Sequence, residues 1–397
     1  MLQVPHRQIA AVLRHERKTN SYKVALVRAL GDLALAFPDV GGAHDSPRDV
    51  AVPLRAVAEF WLAYYWPFCE AEAPLLQGAR AADPRTGGLR NDIAFRGELE
   101  ELRTAWEAAT SSAAPSDGYL LVEEMRSTRR REMYPNTVRA AFATARRKAA
   151  HAVQQPVKYA GAEHWSLFSR PAALRQFHDA YAPLDVMPGT APQERCIVVK
   201  GDLWLAFREL SLWVEALAVH TWCLWTEGID QSSVGRGPAR RGELYELLTA
   251  RPDNRRPLSW ERNEVDLLMI EGHHFECPWT GRELGHGAEY DLDHLIPVAL
   301  YPTNEMWNLI PADRHFNQRV KRDRLPSAEA LRRAEPRLVV AYDHYLGSKA
   351  LGPALRADVH GRFAGFGQTG ARADDVARAA TAFIATAAEV RSVQRFG

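Results

Sequence analysis

Four polar residues and a proline, close together in the C-terminal half of the chain, have types and spacings that suit hydrolytic chemistry. Asp293 and His294 are adjacent, Pro297 follows, and two amides come later, at Asn308 and Asn317. Phosphodiester hydrolysis needs an activated water, a charge sink for the pentacovalent transition state, and stabilisation of the departing 3′-oxygen. One divalent cation can supply the last two. The pattern therefore favours metal-assisted cleavage of a phosphodiester.

The chemistry of these side chains assigns a role to three of them. Mg²⁺ takes hard oxygen ligands and keeps several waters, so one carboxylate from Asp293 and one amide oxygen from Asn317 make a reasonable protein shell. An unperturbed histidine has a pKa of about 6.5, which suits a general base near neutral pH. We therefore expect His294 to deprotonate the attacking water beside a bound Mg²⁺.

Two extended segments and a helix should position this site. Residues 273–279 lead into a turn, and residues 289–294 form a second extended segment. A loop follows. Helical character then returns near Pro311, because proline suits the first turn of a helix, and continues through Arg322. The sequence predicts a hairpin, a loop and a helix.

Residues 275–327 resemble an HNH nuclease domain of the ββα-metal class. The resemblance is carried by Cys277-Pro-Trp-Thr-Gly-Arg-Glu-Leu, by Tyr290-Asp-Leu-Asp-His-Leu-Ile-Pro, and by the interval from Asn308 to Asn317. Similar segments occur in RNA-guided CRISPR effectors and in bacterial restriction-type nucleases. The resemblance implies that His294 is the general base and that Asn308 ties down the connecting loop so that the histidine is correctly aimed.

The resemblance also implies a metal, and two departures from the family pattern bear on which one. It makes Asp293 and Asn317 ligands of Mg²⁺ or Mn²⁺. Many relatives have histidine where this chain has Asn317, and the amide favours an oxygen-preferring metal over zinc or nickel. Many relatives also hold a structural zinc with two Cys-x-x-Cys pairs, whereas here only Cys277 remains, with Thr280 at its partner's position. We predict no zinc.

Cations outnumber acids on and just after the expected catalytic helix. Such side chains can clamp phosphates without reading bases, although a solvated helix face would carry similar charges. Beside a phosphodiesterase motif we favour nucleic-acid binding. The residues are Arg314, Arg319, Lys321, Arg322 and Arg324, set against Asp313 and Asp323.

A second basic stretch lies between residues 126 and 148, where Glu132 is the single acid. It is a candidate surface for a nucleic-acid backbone, because clustered cations gain affinity by releasing phosphate counterions. From charge alone a solvated helical face explains it equally well. The phosphodiesterase motif downstream makes nucleic-acid binding the slightly favoured interpretation.

Composition restricts the class of protein without identifying a partner. The chain has 397 residues, a formal net charge of +1 and 46% hydrophobic residues, which is typical of a globular protein of two or three structural units. Four widely separated cysteines without a Cys-x-x-Cys pair indicate a reducing cytoplasm. No leader-like or membrane-spanning apolar segment is recognisable, so we expect a cytoplasmic location and no membrane partner.

The N-terminal region is expected to be helical. An apolar pattern beginning at Asn20 predicts an amphipathic helix that ends before Pro38, and a second helix is expected from Leu54. Residues 203–225 follow a 3-4 apolar spacing. They predict one long helix, buried against the N-terminal helices or against a second copy of the protein.

The predicted fold class is mostly α. It combines a helical N-terminal region, a small ββα-metal α+β module, and C-terminal helices at residues 328–345 and 374–393. We divide the chain into three parts. They are a recognition, regulatory or oligomerisation region at residues 1–235, the HNH nuclease domain at 255–330, and a C-terminal helical segment at 331–397.

The leading functional hypothesis is a metal-dependent endonuclease that nicks or cuts DNA, with a second copy or a regulatory protein as a further partner. By analogy with relatives, its role would lie in restriction or anti-phage defence. Two alternatives stay open. One is a non-catalytic DNA-binding or scaffold protein that retains the hairpin, and the other is an RNA-cleaving toxin built on the same module.

Overall fold

The computed structural model divides the chain into two compact units. It describes residues 5–70, 72–78, 92–177, 181, 183–251, 258–301, 303–367, 370–391 and 393–397. The first unit comprises residues 1–126 and 130–252, and the second comprises 127–129 and 253–397. Each has its own buried apolar core. The expected domain limits at residues 1 and 255 lie outside the described residues.

Helices build most of the first unit. In its described part they are α1 (Pro5–Ala10), α2 (Tyr22–Ala36), α3 (Leu54–Tyr65), α4 (Arg96–Thr110), α5 (Asp117–Arg126), α6 (Thr128–Glu132, at the border of the unit), α7 (Asn136–Tyr159), α8 (Gly201–Glu209), α9 (Ser211–Glu227) and α10 (Arg241–Thr249). The helix expected before Pro38 is confirmed as α2. Its last backbone bond runs from the Phe37 N–H to the Leu33 carbonyl, and Pro38 has no N–H with which to extend it.

The long helix expected at residues 203–225 is wrong in one respect, because the chain leaves helical geometry at Leu210 and separates α8 from α9. Apolar residues surround this stretch on all sides, so one straight helix could not bury them all. After the break Val214 and Trp222 are buried in a core shared with α2, as expected. Leu212 and Trp213 are instead 72% and 75% exposed.

A small mixed sheet in the first unit was not predicted. The described strands are β1 (Gly42–Ala43), β2 (Ser46–Pro47), β3 (Asp49–Pro53), β4 (Ala172–Ala173), β5 (Leu184–Val186) and β6 (Arg195–Val199). The order is β4-β6-β3-β5, with β3 antiparallel to β6 and parallel to β5. Val50 pairs with Val199, and Val52 pairs with Ile197. Short buried apolar runs lack the periodicity that would distinguish a strand from a helix.

The basic stretch between residues 126 and 148 is partly neutralised by acids of the same unit. Arg126 and Arg146 reach the buried Glu59 at 2.9 and 3.1 Å. Lys148 reaches Glu98 at 3.1 Å. These three cations therefore serve ion pairs within the first unit.

The second unit contains the motif and the C-terminal helices. Its described helices are α11 (Ser259–Ile270), α12 (Ala328–Gly347), α13 (Leu351–Arg362) and α14 (Ala373–Arg391), and its described strands are β7 (Phe275–Glu276), β8 (Glu283–Leu284), β9 (Tyr290–His294), β10 (Leu309–Asp313), β11 (Leu325–Pro326) and β12 (Arg395–Phe396). The two helices expected after residue 327 are confirmed as α12 and α14. Helix α13 was missed because glycine and proline weaken its helical signal.

The strand pairing at the motif corrects the predicted hairpin. Among the described strands β7 pairs only with β8, while β9 pairs antiparallel with β10, so that His294 faces Leu309 and Asp293 faces Ile310. The segment near Pro311 is therefore a strand and not the start of a helix. Proline is tolerated there because each strand of a two-stranded sheet has an unpaired edge. Helical structure begins only at Arg314, and it continues as a π-helical turn from Phe316 to Lys321.

The predicted fold class, mostly α with a small α+β module near the C-terminus, is confirmed. Among the described residues, no helix combines the length and the apolar character needed to cross a bilayer.

Candidate functional site

His294 ends strand β9, and its Nε2 atom contacts the loop that follows. Its Nε2 lies 2.7 Å from Oδ1 of Asn304, a residue of the loop between β9 and β10. An amide oxygen only accepts hydrogen bonds, so this contact places a proton on Nε2 of the neutral ring. Nδ1 is then the nitrogen that can take up a proton. The sequence marked Asn304 only as a loop residue, and no spacing rule would have singled it out.

Asn308 is fully buried and joins both ends of the loop that follows His294. Its Oδ1 accepts a hydrogen bond from the Ile296 N–H at 2.8 Å. Its Nδ2 donates to the carbonyls of Ile296 and Thr303 at 3.2 and 3.4 Å. The Asn308 carbonyl accepts from the Leu295 N–H at 2.8 Å. These bonds hold the loop in the shape that presents His294.

Asp293 is buried beside His294 and forms an ion pair with Lys321. Lys321 Nζ lies 2.9 Å from Asp293 Oδ1 and 2.6 Å from the backbone oxygen of His294. Trp279 Nε1 approaches Asp293 Oδ2 at 3.5 Å. The expectation that Lys321 contacts nucleic acid from a surface position needs correction, because its side chain is 1% exposed. The π-helical turn directs it inward, onto the strand.

Asn317 lies in the same π-helical turn but faces a different carboxylate. Its Nδ2 donates to Oδ2 of Asp291 at 3.1 Å, and Gln318 Nε2 donates to the same oxygen at 3.0 Å. No hydrogen bond among the described residues joins Asp293 to Asn317. Asp291 was not singled out from the sequence, although residues two apart on a strand share a face, which places it beside Asp293.

Two family models match the chain, one in its N-terminal part and one in its C-terminal part. A family model described as "Domain of unknown function (DUF8808)" matches residues 3–248, which is more than half of the chain. The chain belongs to this family. A second model, described as "HNH endonuclease", matches residues 277–327. The chain thus carries an HNH endonuclease domain, and its general class is that of a nuclease. No curated protein and no solved structure matches the chain.

The HNH match begins at Cys277 and includes every residue expected to act in the site. Three of the expected nucleic-acid contacts, Arg314, Arg319 and Arg322, are exposed on the HNH domain. Arg314 lies 3.5 Å from Asp291. Arg324 is half-buried and donates to the carbonyl of Val320.

The backbone directly after Lys321 adopts a conformation that favours glycine. Arg322 has φ 51° and ψ −121°, and the Arg324 N–H bonds to the Lys321 carbonyl at 3.0 Å. These angles are those of the first central position of a type II′ turn. Asn317 and Lys321 therefore lie in a turn whose body is π-helical and whose C-terminal end is a tight turn at Arg322, so neither part has ordinary α-helical geometry.

Residues outside the HNH match support the loop from behind. Glu305, at the end of the loop, pairs with Arg362 of α13 through two bonds of 2.5 and 2.9 Å. The Met306 N–H donates to Asp358 of α13 at 2.8 Å. Sequence reasoning missed these contacts together with α13, so the site depends on a helix that the motif does not contain.

The donor set suits a hard divalent cation. Carboxylates at Asp291 and Asp293 and the Oδ1 atom of Asn317 are oxygen donors of the kind that Mg²⁺ and Mn²⁺ accept. The described residues contain no group of three or more His, Cys, Asp or Glu side chains that could hold an ion. An ion here would rely on few protein ligands, with water and substrate oxygens completing its shell. The Lys321 ammonium group forms an ion pair with the Asp293 oxygen that a divalent cation would bind.

Proposed function

We propose that the HNH domain hydrolyses phosphodiester bonds of DNA. The observation that carries this proposal is the convergence of His294, Asp293 and the buried Asn308 at one end of the β9–β10 pair. The loop held by Asn308 and the amide of Asn304 fix the position and the tautomer of His294. A general base needs both a defined direction and a defined tautomer.

The residues divide the work as follows. His294 accepts the proton of the attacking water at Nδ1, while Asn304 keeps the proton on Nε2 and steadies the imidazolium that forms. Asp293 and Asn317 would hold Mg²⁺ or Mn²⁺. That ion, when bound, stabilises the charge of the transition state and the leaving oxygen. Exposed arginines at 314, 319 and 322 contact the phosphate backbone.

We further propose that the region outside the HNH domain restrains or directs cleavage in the cytoplasm. A nuclease that acts without restraint would damage its host. Residues 1–235 would recognise the substrate, gate activity or bring together two copies, while residues 331–397 would support the domain 255–330. A role in restriction or anti-phage defence is part of this proposal and rests on analogy with proteins that use HNH domains.

Plasmid digestion with the full chain tests the proposed reaction. Supercoiled plasmid, both modified and unmodified, is incubated with Mg²⁺, with Mn²⁺ and with EDTA. We expect nicked or linear product in the presence of either metal and none with EDTA. His294→Ala should lower the rate by at least about a hundredfold. His286→Ala is the matched control, because His286 is an exposed histidine of the same domain outside the site.

Two results would contradict the proposal. Undiminished cleavage by His294→Ala with Mg²⁺ would remove the assigned base, and cleavage in EDTA would remove the metal. Labelled RNA offered in parallel with DNA separates the DNA endonuclease from an RNA-cleaving toxin.

A second candidate function draws support from the Asp293–Lys321 ion pair. A carboxylate that is permanently neutralised by a lysine cannot serve as a metal ligand, which would suit a non-catalytic DNA-binding protein that retains the hairpin. This candidate predicts DNA binding that is indifferent to Mg²⁺ and no turnover with any metal. Retention on a DNA column in EDTA, without cleavage in Mg²⁺ or Mn²⁺, would favour it.

A further inference from the structure

We propose that Lys321 is an exchangeable counter-ion for Asp293: a divalent cation displaces its ammonium group, which then becomes available to a phosphate of the substrate. The inference rests on the proposed function, because it concerns metal binding at the same site. It assigns Lys321 two successive partners, a carboxylate before the metal binds and nucleic acid afterwards.

The first argument is the position of the ammonium group. Lys321 Nζ bonds to one oxygen from each of the two central motif residues, 2.9 Å from Asp293 Oδ1 and 2.6 Å from the His294 carbonyl. Both side chains of the ion pair are almost completely buried. A buried carboxylate requires a positive partner, and Lys321 supplies it in this structure.

The second argument is electrostatic. A Mg²⁺ ion binds a carboxylate oxygen at about 2.1 Å, so an ion on Asp293 would lie within roughly 5 Å of an ammonium group that kept its present place. Two cations at that distance in a water-poor site repel each other strongly. Asp293 can neutralise one of them, and the divalent ion has the larger charge. Exchange relieves the repulsion by moving Lys321 away.

The third argument is the backbone that holds Lys321 inward. Lys321 ends a π-helical turn. Such turns are rare in proteins, and those that occur are frequently at functional sites. The next residue, Arg322, has a positive φ of 51° without being glycine. The inward position of Lys321 is thus maintained against local backbone preference. Loss of the bond to Asp293 would allow the turn to relax and the side chain to reach solvent.

The surroundings indicate where the displaced ammonium would act. Arg319 and Arg322 flank Lys321 in the chain and are both exposed. The Asp293–Lys321 pair is neutral, and adding a divalent ion gives the same site two net positive charges. A phosphate of nucleic acid is the ligand that this change attracts. Metal binding should therefore strengthen DNA binding through Lys321.

Amine labelling of the full wild-type chain tests the exchange directly. The protein is treated with an amine-reactive reagent in EDTA and in saturating Mn²⁺, and modified lysines are identified by mass spectrometry. Lys321 should be protected in EDTA and modified at least about tenfold more in Mn²⁺. Lys349, which is exposed in the same unit, is the internal reference and should react equally in both. Continued protection of Lys321 in the metal-loaded protein would overturn the inference.

Mn²⁺ binding by variants supplies a second measurement that does not depend on cleavage. Lys321→Met removes the competing charge at similar side-chain length, and we expect its affinity for Mn²⁺ to rise by roughly tenfold. Lys321→Arg keeps the charge and should retain affinity near that of the wild type. Circular dichroism checks that each variant folds, and Lys321→Gln replaces the methionine variant if that one does not. An unchanged affinity in the charge-removing variant would count against exchange.

Asp293→Asn separates failure of this inference from failure of the proposed function. If the wild type takes up Mn²⁺ and Asp293→Asn does not, the metal site stands, and the labelling result alone decides the role of Lys321. If the wild type takes up no Mn²⁺ at all, the proposed metal site fails, and the exchange fails with it.

Discussion

Both units bury a cation against a carboxylate, but the two pairs differ in what surrounds them. In the first unit Arg28 lies 3.1 Å from Glu215, and its guanidinium group is completely buried. In the second unit Lys321 lies 2.9 Å from Asp293 and both side chains are buried, whereas the Glu215 side chain is 31% exposed. The Arg28–Glu215 pair lies among aromatic rings. The Lys321–Asp293 pair lies beside His294 and the loop that Asn308 holds.

The surroundings of Arg28 give its ion cluster a structural role. The guanidinium group lies over the ring of Tyr64, 4.4 Å from its centroid, and donates to the Leu248 carbonyl at 3.0 Å. Tyr64 donates to Asp32 at 2.5 Å. Burial raises the pKa of Asp32. The cluster joins α2, α3 and α9 with the end of α10 and presents no general base or loop.

The comparison teaches that buried charge does not by itself locate chemistry. Structural ion pairs and catalytic groups are both found in desolvated places. What distinguishes the second unit is that an imidazole, a carboxylate and an amide converge at one strand end. The predictions that follow test this distinction, in order of decreasing effect.

Replacing Arg28 should have the largest effect, a loss of stability in the first unit. Arg28→Ala leaves the Leu248 carbonyl unsatisfied and empties the space beside the Tyr64 ring, while Glu215 keeps Arg251 at 2.5 Å. The cavity and the lost hydrogen bond together should cost about 3–5 kcal/mol. Urea unfolding, together with hydrogen exchange of the α2 amides, measures the loss. Arg14→Ala, at an exposed arginine, is the control. A loss below about 1 kcal/mol would show that the cluster is not a structural centre.

Replacing Asn308 should affect both stability and cleavage. Asn308→Ala removes three side-chain hydrogen bonds and leaves the Ile296 N–H unsatisfied in the core, at a cost of about 2–3 kcal/mol. Unfolding measurements give the first effect, and plasmid cleavage below the melting temperature gives the second. If the folded variant cleaves at the wild-type rate, the loop does not aim His294, and the contrast between the two units weakens.

Replacing Asn304 should separate catalysis from stability. Asn304→Leu keeps the approximate volume but removes the oxygen that faces His294 Nε2. Since Nδ2 of Asn304 is buried without a hydrogen-bond partner, the change should cost little stability. We expect kcat to fall by roughly tenfold to a hundredfold with little change in KM for DNA. If the loss in kcat, converted to an activation free energy, equals the loss in unfolding free energy, Asn304 has a structural role only.

Replacing Arg322 should have the smallest effect, and in the stabilising direction. Glycine adopts a positive φ without the steric cost that arginine incurs, so Arg322→Gly should raise the unfolding free energy by about 1 kcal/mol. Thermal unfolding in EDTA measures it. Arg319→Gly, in the preceding turn, should destabilise instead. An unchanged or lower stability for Arg322→Gly would show that the turn holds no strain.

Sequence reasoning predicted which motif residues lie together better than it predicted their hydrogen-bond and ion-pair partners. Asp293, His294 and Asn308 do lie together, because the antiparallel pairing of β9 with β10 places the end of one strand beside the start of the other. The partner of Asp293 was not foreseen, since it comes from a turn 28 residues later whose π-helical geometry no local pattern indicates. Because a helix was predicted from Pro311, the residues after it were assigned to the wrong side of that helix, either buried or exposed.

By itself, the sequence determined the class of the fold, the ends of α2, and the presence of an HNH domain with its histidine, carboxylate and amides. These depend on residue type and on short-range spacing. Only the tertiary structure decided that Lys321 faces Asp293, that Asn317 faces Asp291, and that α13 supports the loop. Such pairings depend on how distant segments pack, where a shift of one residue in a turn exchanges the buried and exposed sides of a helix.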